Sequence, residues 1–97
     1  MKDAEKALAV LSETGRLREK AQDALIADEL NPEADVHESY YMLQQVIKIE
    51  KIIAKHFGIE KEVEEIHNEA FRRYIDKKSA ARKALREIKK KRREGVE

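Results

Sequence analysis

The stretch VIKIEKII, Val46 to Ile53, decides how this chain is read. Its aliphatic residues belong to a buried helix, yet Glu50 stands among them. At about 100° per residue the apolar side chains fill one wide arc, and Glu50 falls close to its centre. An isolated carboxylate there is costly, whereas one paired with an arginine and hydrogen-bonded by a histidine is tolerable.

Working outward, the apolar period of three and four predicts three helices. The first covers about 3–30, with Ala4, Leu8, Leu11, Leu17, Ala21, Leu25 and Leu30 on one stripe. Gly15 costs about 1 kcal/mol relative to alanine, so a weak break is expected there. Pro32 ends this helix, with Asn31 as N-cap of the next and Pro32 at its first position. The second helix then covers 32–57 and turns Val36, Tyr40, Leu43, Val46, Ile47, Ile49, Ile53 and Phe57 inward. Gly58 is its left-handed C-cap. A third helix over 59–93 carries Val63, Ile66, Ala70, Tyr74, Ala81, Ala84 and Ile88 on one stripe.

Short connections favour antiparallel neighbours, so the expected fold is all-α: one domain over residues 1–97, an up-down-up three-helix bundle of long helices. The third helix outruns its partners, and dimerisation would complete the bundle. Composition agrees with a helical chain. Charged residues make up 42% of the 97 positions and aromatic ones only 5%, with one proline and three glycines. Cysteine is absent, which removes disulfides, thiolate nucleophiles and cysteine-based zinc sites. The glycines are isolated at 15, 58 and 95, so no phosphate-binding loop is present, and no Ser-His-Asp arrangement is evident. No apolar run approaches the roughly 20 residues needed to span a bilayer, and the N-terminus lacks a signal-peptide core. A soluble, cytoplasmic protein without membrane contact is expected.

Other polar residues point the same way as Glu50. Thr14 and Arg18 fall within the first apolar arc, and His67 and Lys77 fall inside or at the edge of the third. Gly58 lies eight residues after Glu50 and nine before His67, so a hairpin sets these two nearly level. Counting back across Pro32 brings Glu50 opposite Thr14, one turn from Arg18. Arg18, Glu50 and His67 are therefore expected to form one buried polar layer that fixes helix register.

A metal centre is the sharper reading of the same residues. Di-iron and di-manganese bundles combine one Glu with a Glu-x-x-His pair, twice over. Glu50, Glu64 and His67 fit that pattern, with a two-fold dimer supplying the other half and iron or manganese as cofactor. The pattern is weak among fifteen Glu and three His, and the leading expectation is no cofactor. Glu33 and His37, one turn apart, form a weaker two-ligand pair.

Charge is divided along the chain. Residues 1–75 carry eleven Lys and Arg against sixteen Asp and Glu, whereas residues 76–97 carry ten against four. Arg82, Lys83, Arg86, Lys89, Lys90, Lys91, Arg92 and Arg93 make the end of the third helix a cation, with a basic extension over 89–97. Such a run contacts nucleic-acid phosphates or an acidic partner protein, and it also complements the negative end of a helix dipole. Tyr41 and Ile52 project from the polar side of the second helix, a placement that suits either a protein interface or ordinary scattered surface apolar residues. The functional expectation is a non-enzymatic assembly protein acting through helix contacts and self-association. Nucleic-acid binding through the tail is the alternative, and a ferritin-like di-metal protein is the third.

Overall fold

The computed structural model describes the backbone of residues 2–96 and the side chains of 5–95, so the Ala4 side chain lies outside the described residues. The chain is all-α, with no strand among the described residues. Helix α1 spans Lys2–Leu30, α2 spans His37–Phe57 and α3 spans Glu60–Val96. The first helix runs unbroken through Gly15, because one glycine in 29 residues is a small penalty against the packing on either side of it.

The second helix starts five residues later than expected. Pro32 is the second residue of a turn, closed by the Ala34 amide on the Asn31 carbonyl at 3.1 Å. Asn31 does not cap a helix; its side chain accepts the Glu33 amide at 3.1 Å within that turn. The fixed φ of proline suits the first position of a helix and the second of a turn equally well. The following Asp35 carboxylate accepts the His37 amide at 2.9 Å, and α2 begins there. At the other end Gly58 adopts φ 68° and its amide reaches the Ala54 carbonyl, a left-handed cap that needs glycine. The third helix extends to Val96, beyond the expected end at 93.

Two apolar clusters hold the helices. Leu11, Ala54 and Val63 meet near one end, with Ile53 and Ile59 packed against them. Ala21, Leu25 and Leu43 meet near the other, joined by Val36, Ile47 and Tyr74. Small residues let the helices approach closely: Ala7, Ala21, Ala54 and Ala70 are all buried. Several residues expected inside are instead at the surface. Leu8, Leu17, Tyr40, Ile49, Ile66 and Ile88 are exposed, as is Ala84, because each apolar stripe is wider than the neighbouring helices cover.

Candidate functional site: a buried polar layer

Between the two clusters lies Glu50, 1% exposed and the largest fully buried side chain among the described residues. Arg18 of α1 donates from Nη1 to both carboxylate oxygens, at 2.7 and 2.6 Å. Thr14, one turn earlier, places its hydroxyl 2.8 Å from Oε2 and 3.1 Å from the Leu11 carbonyl. His67 of α3 approaches Oε1 at 3.0 Å through Nε2. A paired carboxylate only accepts, so Nε2 is the protonated nitrogen. Helices α1 and α3 thus supply donors to one acceptor on α2, and both oxygens of Glu50 are satisfied twice.

The local reasons are simple. Thr14 and Arg18 are four apart on α1 and share a face, while the Gly58 turn sets Glu50 and His67 level. The layer does not require glycine at position 15, since a β-carbon there would sit 3.6 Å from Nη2, an ordinary contact. Arg18 itself is 11% exposed, and its Nε is buried without a hydrogen-bond partner among the described residues. One level further along, buried Gln22 donates to the Ala70 carbonyl at 3.2 Å and ties α1 to α3 again.

A second polar group joins the same two helices. Glu29 accepts hydrogen bonds from Tyr74 and, at 2.5 Å, from Lys78, whose ammonium also stands 5.8 Å from the Tyr74 ring centre. Burial pushes the Glu29 carboxyl up, but the Lys78 and Tyr74 hydrogen bonds and the charges of Lys78 and Arg82 outweigh it and hold it below its ordinary value. Burial, reinforced by the hydrogen bond to Glu29 and its charge, pushes the Tyr74 phenol up to about 12. Lys77 pairs with Asp23 at 3.3 Å rather than reaching the layer. Nothing in the sequence pattern singled out Gln22 or the Glu29 group, because each spans helices whose relative rotation must be known first.

Of the residues considered for a metal, Glu50 and His67 are in contact, but Glu64 is exposed and makes no hydrogen bond to either. No group of three or more His, Cys, Asp or Glu suited to a metal ion occurs among the described residues. His37 stands against Asp35, at 2.6 Å, and not Glu33. The Asp35 carboxyl is held below its usual value by the His37 amide first and the imidazole second. The basic residues Arg82, Lys83, Arg86, Lys89, Lys90, Lys91, Arg92 and Arg93 are all exposed along α3. Arg82, Arg86, Lys89 and Arg93 share one of its faces. No helix among the described residues is long and apolar enough to cross a membrane.

The geometry defines an all-α protein with a carboxylate-centred hydrogen-bond layer at its core and a cationic helix end. No known family, curated protein or solved structure matches the chain.

Proposed function

We propose that this chain is a non-enzymatic assembly protein: an up-down-up three-helix bundle that self-associates, with the Arg18–Glu50–His67 layer setting the register of its helices. The order of cross-helix partners supports the topology. Along α1, Thr14, Gln22 and Glu29 meet His67's level, Ala70 and Lys78 in ascending order on α3, while Leu11, Thr14 and Leu25 meet Ala54, Glu50 and Leu43 in descending order on α2.

The observation that carries self-association is the exposed surface. The chain exposes 8028 Å², whereas a compact monomer of 11.3 kDa exposes about 5,700 Å². Among the described residues thirteen large apolar side chains contribute, including Tyr40, Tyr41, Met42, Ile52, Phe71 and Ile75. A stable interface removes about 800 Å² from each partner, so the excess is ample for one. The rod-like dimensions, 65 × 22 × 17 Å, leave long flanks for a second helix layer.

Sedimentation equilibrium from micromolar to millimolar protein tests this reading. A mass rising to twice 11.3 kDa is expected. A single-chain mass throughout would refute it. The shared face of Arg82, Arg86, Lys89 and Arg93 favours a second reading, in which the tail binds nucleic-acid phosphates without reading sequence. Its sign is DNA retention that weakens steeply with salt and disappears when the chain is cut after Ile88.

A further inference from the structure

We infer that the self-association uses α3, paired antiparallel with α3 of a second copy about a two-fold axis near Ile75. The inference rests on the self-association proposed above and adds its face and direction.

Charge along α3 is polar in the plain sense. Residues 60–69 hold five Glu against one Lys, and residues 77–93 hold ten Lys and Arg against one Glu. A parallel pair would set like charges side by side over the whole helix. An antiparallel pair sets the acidic half of each copy on the basic half of the other, and the midpoint of the two blocks falls at about residue 75.

The helix presents a matching face. Glu64, Phe71, Ile75, Arg82, Arg86 and Lys89 lie within one narrow arc, and all six are exposed. Apolar Phe71 and Ile75 occupy its middle, 61% and 48% exposed, with acid toward one end and base toward the other. Positions equally far from Ile75 meet in such a pair, so Glu64 faces the partner's Arg86. This arrangement also gives exposed Glu64 a counter-charge, which no ion pair among the described residues of its own chain supplies.

The neighbouring seam is open to receive a helix. Between α2 and α3 run two hollows, one of about 550 Å³ beside Lys51, Glu64 and His67, the other of about 350 Å³ beside Tyr40 and Phe71. A second α3 laid along the arc covers this seam and the exposed Tyr40 with it. The partner is thus a second copy of this chain, and an acidic or basic stranger satisfies only half of the face.

The absence of cysteine makes the test direct. Ile75→Cys alone is expected to form a disulfide-linked dimer on oxidation, because the axis brings the two copies of this position together. Glu64→Cys alone should not crosslink, whereas a mixture of Glu64→Cys and Arg86→Cys chains should. Independently, Glu64→Arg and Arg86→Glu should each raise the dimer dissociation constant about tenfold, and the chain carrying both should recover to within about threefold of the original. A dimer in sedimentation that shows neither the Ile75→Cys crosslink nor recovery in the double variant overturns the antiparallel α3 pairing alone. A chain that stays monomeric at millimolar concentration overturns this pairing together with self-association itself.

Discussion

The two halves of α3 have similar composition in helix formers and opposite circumstances. From Val63 to Lys78 the helix is held by its own chain: Val63 in a core cluster, His67 on Glu50, Ala70 on Gln22, and Tyr74 and Lys78 on Glu29. From Arg82 to Gly95 every described residue is exposed. The first half is helical because tertiary contacts select it. The second relies on intrinsic propensity and on the fit of basic side chains to the negative end of the helix dipole, terms of about 0.3–1 kcal/mol. An isolated helix of that length is marginal in water. The difference teaches that helix continuity in a chain is no measure of how firmly each turn is held.

The largest effect that would break the comparison is at the layer. Glu50→Ala leaves the Arg18 guanidinium buried without its counter-charge and should cost about 3–5 kcal/mol in urea unfolding. The paired change Arg18→Met with Glu50→Leu removes both charges and should be close to neutral or stabilising, because the cost lies in an orphaned ion rather than in a lost attraction. A paired variant as unstable as Glu50→Ala would contradict that account. Next comes a test within α3. Val63→Ala should lower stability by about 1–2 kcal/mol, whereas Ile88→Ala should stay within about 0.5 kcal/mol at micromolar protein.

A smaller gain is expected at Gly15. Its β-carbon would meet nothing closer than 3.6 Å, so Gly15→Ala should stabilise α1 by up to about 1 kcal/mol. The Glu29 group sharpens the boundary between the halves through pH. Glu29 sits below its ordinary 4.5 in the folded chain, so its contribution is complete above that value and is lost as the pH falls through the lowered one. Tyr74 behaves oppositely: its contribution is complete below 10 and is lost as the pH rises from 10 to about 12. Urea midpoints of Glu29→Gln should show a flatter acid limb than the original chain, and those of Tyr74→Phe a flatter alkaline limb.

Much of this was readable from residue spacing, for physical reasons that also mark where reading stops. Gly58 fixes a reversal, and both helices leaving it rise equally per residue, so counting outward sets Glu50 against His67. Counting across Pro32 is less secure, since proline serves a turn and a helix start alike, and α2 begins at His37 rather than at Pro32. Periodicity told which face of each helix is apolar but not how much of it would be covered, hence the exposed Leu8, Leu17, Tyr40, Ile49 and Ile66. Spacing alone does not mark Gln22 and Glu29, because a polar residue at the edge of an arc gains a role only through the rotation of its neighbour.

Amide hydrogen exchange along α3, followed as protein concentration rises, tests the central claim most directly. The account predicts that amides over 63–78 are protected at every concentration, while those over 82–90 exchange quickly in dilute protein and become protected as copies pair. Fast exchange over 82–90 at millimolar concentration, or equal protection of 63–78 and 82–90 in dilute solution, would contradict it.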